Sequence, residues 1–314
     1  MTSSFRVPAA LLLAATLCAQ ASAARVTTVA DVAAAARPAG VPLNYVVTPN
    51  GMFHPSCVHE LADSDTLTAS GVRHADGKVT TLGACAFPRY GSRGQVIADE
   101  EPDYSGWIAA SDSDANVTPP ARRMVADFNV PSGPTSNAGQ VLYYFPGLED
   151  GQNVITILQP VLAWNGFSDS RWTMTNWNCC NNGHTFHGGT INVSTGDGIH
   201  GSMKGSNCSN GVCSTWKLVS KDKTTGQSTT FNTDGYGQAF TWYFGGVLEA
   251  YFVTQCTHFP SNGSINFTKV KVFDPSGTQT TPAVWDSFVQ PGVPPCNFAV
   301  NSTQHTTTIT WKTN

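Results

Sequence analysis

The sequence predicts an all-β protein built as an antiparallel sandwich of two sheets. From Gly106 onward, short runs rich in Val, Ile, Thr and aromatic residues alternate with turns of Gly, Asn, Asp, Ser and Pro. No stretch in this part of the chain keeps a helical period over three turns. Two of the runs, 154–164 and 247–253, are apolar on both faces, which is typical of strands buried between layers. About a dozen such strands favour two packed sheets.

Residues 1–23 have the three parts of a secretory signal peptide. Arg6 supplies the basic part, residues 8–17 form the apolar part, and Ala-Ser-Ala at 21–23 is a small-residue cleavage site. No other apolar run reaches the length that spans a membrane. We therefore expect a secreted, extracellular protein with no membrane partner.

Residues 24–104 are predicted to be a pro-segment or a small accessory β region. From Val41 to about Ala98 the chain reads as short strands and turns, and Cys57 and Cys85 are the only cysteines of this stretch. A bridge between these two cysteines would close the region. His54 and His59 flank Cys57 and suggest a metal site, but no further ligands follow at zinc-like spacing, so a bridged turn is favoured. Residues 105–314 are assigned to the sandwich.

Composition restricts the possible partners. Only 12% of the residues are charged and the net charge is −4, so the chain lacks the basic surface that nucleic acid or an anionic membrane requires. We expect a monomer. Export also makes glycosylation possible, and six Asn-X-Ser/Thr sequons are predicted sites. These are Asn116, Asn192, Asn207, Asn262, Asn266 and Asn301.

The strands of the sandwich follow from the positions of the turns. In order, we predict strands at 124–130, 140–145, 154–164, 171–177, 189–193, 199–204, 215–220, 228–232, 246–254, 264–273, 283–288 and 306–311.

Six further cysteines lie in this part of the chain, and in an exported protein disulfides are their default state. Cys208 and Cys213 are spaced to close a hairpin. We expect Cys179 or Cys180 to reach the remaining pair, Cys256 and Cys296, although sequence does not fix the connectivity.

Gln159 interrupts an otherwise apolar strand face. Alternation in VITILQPVLAW (154–164) places Ile157, Gln159 and Val161 on one face and Leu158 and Trp164 on the other. Pro160 follows directly, although proline cannot donate to a central ladder. We expect a local bulge that aims Gln159.

Glu249 stands out in the same way. It lies within the apolar run 247–253, where an ionised carboxylate is costly unless it is paired or has a chemical role. After residue 120 the chain has only one other glutamate, Glu149, and most aspartates sit in turns.

At this point the chain from about Gly106 to Cys256 resembles the eqolisin family of glutamic peptidases. The resemblance is carried by an ordered series of short motifs, none of which is specific alone. They are Trp107, NVPS at 129–132, FPGLE at 145–149, ILQ at 157–159, Trp172 and Trp177, GDGI at 196–199, TTGQ at 224–227, and VLE at 247–249.

The resemblance implies a concanavalin-like, jelly-roll-type sandwich and a secreted endopeptidase active on polypeptides at acidic pH, without metal or cofactor. Gln159 and Glu249 match the catalytic pair, in which glutamate activates a water and glutamine positions it. Substrate-binding residues are then expected at Trp164, Trp172, Trp177 and Glu149. The chain departs from the family pattern where acidic neighbours of the pair are replaced by Ala163 and Asn176.

Several alternatives remain. Gln159 and Glu249 could both be structural residues satisfied by the backbone. A non-catalytic, carbohydrate-binding sandwich with tryptophan platforms is the second candidate. A metal site at His184-x-x-His187 beside Cys179 and Cys180 is a third. A serine hydrolase is disfavoured because the chain has no Gly-x-Ser-x-Gly elbow.

Overall fold

The computed structural model describes residues 37–98, 101–167, 170–291 and 294–314. Within them the chain forms strands and three short 3-10 helices, Pro55–Cys57, Asn181–Gly183 and Cys256–His258, and contains no α-helix. The prediction of an all-β fold is therefore confirmed. The predicted signal peptide lies outside the described residues, and among those described no helix could span a membrane.

Eight short strands precede the sandwich. They are β1 (Val46–Thr48), β2 (Gly51–Phe53), β3 (Val58–Glu60), β4 (Thr66–Thr68), β5 (Gly71–Arg73), β6 (Val79–Thr81), β7 (Arg89–Tyr90) and β8 (Val96–Ile97).

Longer strands make up the rest of the chain. They are β9 (Trp107–Asp112), β10 (Arg123–Asn129), β11 (Val141–Glu149), β12 (Ile157–Trp164), β13 (Trp172–Cys179), β14 (Thr185–His187), β15 (Ile191–Val193), β16 (Gly198–Ser209), β17 (Val212–Asp222), β18 (Ser228–Asp234), β19 (Trp242–Tyr251), β20 (Ser264–Phe273), β21 (Asp286–Val289), β22 (Ala299–Thr303) and β23 (Thr306–Thr310).

Two large sheets form the predicted sandwich. The front sheet has the order β21-β9-β19-β11-β12-β13-β14-β3, with β15 also pairing with β13. The back sheet has the order β22-β23-β20-β10-β16-β17-β18-β4-β5-β6. Pairing is antiparallel except at two joints, where β3 lies parallel to β14 and β4 lies parallel to β18. Strands from the region before residue 99 thus extend both sheets at one edge.

The front sheet is buried on both faces. Along β11, Leu142 and Tyr144 pack into the core between the two sheets, while Tyr143 and Phe145 point the other way. That second face is covered by side chains of the N-terminal region, which belong to one apolar cluster with it. They are Val41, Tyr45, Val47, Met52, Phe53 and Cys57. The four-stranded sheet β1-β2-β7-β8 belongs to this cover.

Pro160 is accommodated without the bulge expected in its strand. β12 keeps a continuous register with β13 from Ile157 to Trp164. The interruption lies on the other side, where pairing with β11 stops and resumes in the same register, which places Pro160 opposite Pro146. A Cβ at Gly201 of the back sheet would lie 3.0 Å from Pro160 Cβ and 3.8 Å from Pro146 Cγ. Both proline rings therefore pack against this glycine, where neither has to donate to the ladder.

All eight cysteines predicted to form disulfides do so. The Cys57–Cys85 and Cys208–Cys213 bridges are as predicted. The expectation that Cys179 or Cys180 reaches Cys256 or Cys296 was wrong, because the remaining bridges are Cys179–Cys180 and Cys256–Cys296. No bridge therefore crosses from the region before residue 99 to the sandwich.

The six sequon asparagines are all exposed, so each is accessible to modification, and glycosylation stays a prediction.

Candidate active site

Gln159 and Glu249 lie on the same face of the front sheet. Gln159 is in β12 and Glu249 in β19, and both of these strands pair with β11. Their neighbours on that face, Val161 and Val247, belong to the cluster covered by the N-terminal region. Both side chains therefore lie on the face that the N-terminal region covers.

Both side chains are completely buried, and each has one polar atom without a hydrogen-bond partner. These atoms are Nε2 of Gln159 and Oε2 of Glu249. Buried polar groups in native proteins are nearly always satisfied. Each of these two atoms, on the same sheet face, is therefore available to a further polar group.

The other ends of the two side chains are held by the tip of the β1–β2 hairpin. Asn50 Nδ2 donates to Gln159 Oε1 at 3.1 Å. The backbone N–H of the next residue, Gly51, donates to Tyr251 Oη at 2.9 Å, and Tyr251 Oη donates to Glu249 Oε1 at 2.6 Å. The hairpin tip therefore links Gln159 to Glu249 through a short polar chain.

The hairpin is shaped by its turn residues. Gly51 has φ of 109°, a left-handed conformation that favours glycine, and a Cβ there would lie 2.8 Å from the carbonyl oxygen of Tyr90. The Asn50-Gly51 pair between extended runs is a recognised hairpin signal, so the presence of a turn could have been found from sequence. The loop itself is Pro49-Asn50, because Thr48 pairs with Gly51. The position of the turn over Gln159 could not have been found in this way.

Burial controls the charge of Glu249. Removal from water raises its pKa well above the usual value, the hydrogen bond from Tyr251 opposes this, and the charge of Asp103 adds to the rise. Burial in this covered form therefore favours the neutral carboxyl of Glu249 over the carboxylate. Burial also raises the pKa of Tyr143, as does the charge of Glu249.

Glu149 lies at the end of β11, paired with Trp242 of β19 on one side and with Ile157 of β12, two residues before Gln159, on the other. It is fully buried, accepts a hydrogen bond from Tyr104 Oη at 2.8 Å, and leaves Oε1 unpartnered. Burial raises its pKa to about 8, against the opposing effect of the Tyr104 hydrogen bond. Burial and the Tyr104 hydrogen bond are the environment of a carboxyl held neutral, and a role of Glu149 in substrate binding stays a prediction.

Two of the three predicted substrate-binding tryptophans require correction. Trp164 and Trp172 are cross-strand partners whose rings meet edge to face, with centroids 5.2 Å apart, in the core between the sheets. They lie on the opposite face from Gln159, because even-numbered positions of β12 point inward. Neither can line a cleft at Gln159, and neither presents a ring to a carbohydrate.

Trp177 does lie beside Gln159, as its direct partner across β12 and β13. It is 1% exposed and packs against Phe167 and His187. The adjacent Cys179–Cys180 bridge continues this apolar floor, and Arg89 of the N-terminal region donates to Cys180 Sγ at 2.6 Å.

The histidines do not assemble a metal site in the described part of the chain. His59 Nε2 and His184 Nδ1 are 2.9 Å apart, whereas His187 Nδ1 bonds the backbone oxygen of Gly188. Burial and the neighbouring His184 lower the pKa of His59 to about 4. No group of three or more metal-ligating side chains occurs among the described residues.

No protein-family model and no curated protein matches the chain. Among solved structures, it is similar to scytalido-glutamic peptidase bound to a peptide-based transition state analog, at 15% identity and TM-score 0.49, over 65% of this chain and 98% of that one. SCP-B, a member of the eqolisin family of peptidases in complex with the tripeptide Ala-Ile-His, gives the same identity, TM-score and coverage. Aspergilloglutamic peptidase from Aspergillus niger is 17% identical at TM-score 0.40, over 55% of this chain and 98% of that one. These structural neighbours are eqolisin-family glutamic peptidases.

Proposed function

We propose that this chain is the latent form of a secreted endopeptidase of the glutamic type, which hydrolyses polypeptides at acidic pH with Gln159 and Glu249. One observation carries the proposal. An amide and a carboxyl group, both fully buried on one sheet face, each keep an unpartnered polar atom, and the hairpin tip fills their other bonds.

The chemistry needs only these two side chains and a water. Ionised Glu249 takes a proton from the water, whose oxygen attacks the scissile carbonyl carbon. Glu249 then returns the proton to the leaving amine as the carbon–nitrogen bond breaks. Gln159 can accept a hydrogen bond from the water through Oε1 and donate one from Nε2 to the developing oxyanion. In the covered form Asn50 occupies the Oε1 position that the water would need.

Residues 41–98 are suited to the role of pro-segment. Their hairpin tip bonds to Gln159 and, through Tyr251, to Glu249, so a substrate cannot reach the pair until the tip leaves. Their one disulfide, Cys57–Cys85, is internal, so a single chain cleavage before residue 105 would leave them held only by non-covalent contacts.

Displacement of the hairpin would also change the state of Glu249. Burial is the main cause of its raised pKa, so admission of water lowers that pKa towards the ordinary value of about 4.5. The carboxylate would then be available as a base in acidic medium. Polypeptides are the proposed substrates, and the proposal includes secretion and a monomeric state but no nucleic-acid or membrane partner.

The test uses the full chain with a recognition sequence for a specific protease inserted after Ala98. After cleavage, we expect digestion of a denatured protein between about pH 3 and 5, where a free carboxylate ionises. Glu249→Gln should lower kcat by about 10²–10⁴-fold, the usual contribution of a general base, and Gln159→Ala by about 10²–10³-fold. Asp286→Asn, at an exposed position, is the matched control. Equal digestion by the wild type and Glu249→Gln would reject the proposed function.

A further inference from the structure

The covered site shows how a polypeptide main chain is held beside Glu249. Tyr143 Oη donates to the backbone oxygen of Val47 at 2.9 Å. Tyr251 Oη accepts from the backbone N–H of Gly51 at 2.9 Å. One hydroxyl thus binds a carbonyl and the other an amide N–H of the same covering segment.

We infer that Tyr143 and Tyr251 are the main-chain anchors of the substrate, and that Tyr251 also positions Glu249. This inference rests on the proposed peptidase function. It adds the class of contact that selects the substrate, namely hydrogen bonds to the backbone of a polypeptide rather than to particular side chains.

The two tyrosines are placed to act together. They lie in neighbouring strands of the front sheet, with Tyr143 paired across from Glu249 and Tyr251 two residues beyond it. Their ring centroids are 6.2 Å apart in an edge-to-face arrangement. Both side chains are almost wholly buried, Tyr143 at 0% and Tyr251 at 1% exposure. Their hydroxyls are therefore fixed relative to Glu249 before any substrate arrives.

If the hairpin left, each of the two hydroxyls would lose one hydrogen-bond partner. Tyr143 would lose its acceptor, and Tyr251 would lose the N–H that it accepts. An extended polypeptide offers carbonyl and N–H groups along its length, so it can replace both contacts whatever its sequence. The covering segment is in this sense a peptide already bound in the cleft.

Tyr251 has a second role because a hydroxyl can donate and accept at once. Its hydrogen is given to Glu249 Oε1 at 2.6 Å, while Oε2 remains unpartnered. This contact fixes the carboxyl group and leaves one oxygen to receive the proton of a water. Because the hydrogen bond favours the ionised carboxylate, it also lowers the pKa of Glu249 against the effect of burial.

The apolar residues around the two tyrosines indicate which side chains the bound substrate should have. Trp177, Val161 and Val247 belong to the covered face, which now meets Val47, Met52 and Phe53 of the covering segment. A substrate with aliphatic or aromatic side chains would bury the same surface. We therefore expect unfolded polypeptides with apolar residues near the cleaved bond to be preferred.

The test compares Tyr143→Phe and Tyr251→Phe with Tyr144→Phe. Tyr144 is the neighbour of Tyr143, but its buried hydroxyl has no partner and points into the core between the sheets, so it is a matched control. After cleavage at the inserted site, we expect Tyr143→Phe to raise KM roughly fivefold with little change in kcat, the effect of one lost hydrogen bond. Tyr251→Phe should raise KM, lower kcat, and move the acidic limb of the kcat/KM profile to higher pH.

A second measurement does not need activity. In the uncleaved chain, amide exchange at Gly51 should be roughly five- to tenfold faster in Tyr251→Phe than in Tyr144→Phe, because the N–H loses its acceptor. The inference is wrong if Tyr251→Phe matches Tyr144→Phe in Gly51 exchange, KM and pH profile. If Glu249→Gln remains fully active, the proposed function fails instead, and Gly51 exchange still decides whether Tyr251 binds a main chain.

Discussion

Asn50 donates its side-chain amide to the side-chain oxygen of Gln159 at 3.1 Å, across 109 residues of chain. The contact joins a turn of the N-terminal region to the residue that interrupts an apolar strand of the sandwich. Both residues are almost entirely buried, so the bond is shielded from water. It places the tip of the hairpin at the centre of the proposed site.

Loss of the Asn50–Gln159 hydrogen bond should make it easier for the hairpin tip to leave the proposed site. We predict that Asn50→Ala raises the residual peptidase activity of the uncleaved chain roughly fivefold, because one hydrogen bond contributes about 1 kcal/mol to the closed state. Digestion of a denatured protein at acidic pH by the uncleaved variant measures this. Asn44→Ala, the same substitution at an exposed position of the same segment, should behave as the wild type. Equal residual activity in both variants would contradict the role of Asn50.

The disulfide pattern predicts how the cleaved protein behaves. All four bridges lie wholly on one side of residue 99 or the other. After cleavage at the site inserted behind Ala98, denaturing electrophoresis without a reductant should therefore separate two fragments. Peptide mapping should recover Cys179 and Cys180 joined to each other. A single band that separates only after reduction would show that a bridge crosses the junction.

Glu149 should make the uncleaved protein less stable as pH rises. Its pKa is raised from 4.5 to about 8, so the folded state holds a proton that the unfolded state releases. The contribution of the neutral carboxyl to the stability of the protein is therefore fully present below about pH 4.5, and it is lost as pH rises towards 8.

Between these limits, this one group should lower the free energy of unfolding by up to about 1.4 kcal/mol per pH unit. Glu149→Gln keeps an acceptor for Tyr104 and should remove that slope. Urea unfolding at pH 5, 6 and 7 tests this, with the exposed Glu60→Gln as the control. An unchanged slope in Glu149→Gln would contradict the assignment.

Asp127 should make the protein more stable as pH rises, the opposite of the effect of Glu149. Burial raises its pKa, but hydrogen bonds from His200, Lys223 and Lys269 outweigh this and lower it to about 2. Its contribution to stability is therefore present above about pH 3.8 and is lost as pH falls through 2. Asp127→Asn should cost about 1–2 kcal/mol near pH 6, since the lysines are partly exposed and screened, and little near pH 2. Equal destabilisation at both pH values, measured by chemical unfolding, would exclude this electrostatic account.

Local periodicity was enough to identify the two central residues. Alternation with period two fixes which side chains share a strand face, so Gln159 and Glu249 could be recognised as polar residues inside apolar faces. The same alternation already set Trp164 on the opposite face from Gln159. Its expected role in substrate binding relied on the family resemblance against that local evidence, and the structure follows the alternation.

Features that depend on distant contacts were not predictable in this way. Nothing in the residues around Asn50 indicates which of the two sheet faces the hairpin covers, because apolar residues flank it as they flank any turn. The predicted bridge from Cys179 or Cys180 to Cys256 or Cys296 was wrong for a related reason. Adjacent cysteines in extended chain ordinarily point in opposite directions, so nothing in the local sequence indicates a bridge between Cys179 and Cys180.

The parallel joint between β4 and β18 has a consequence for the protein once the N-terminal region departs. β18 (Ser228–Asp234) would change from an interior strand to the outermost strand of its sheet, with a free row of N–H and C=O groups. It carries neither lysine nor proline, the residues that natural edge strands use against unwanted pairing. The event that would open the proposed cleft would thus also create a template for strand addition. The proposed monomeric state should therefore hold for the intact chain, whereas the freed sandwich should associate with itself at concentrations where the intact chain stays dispersed.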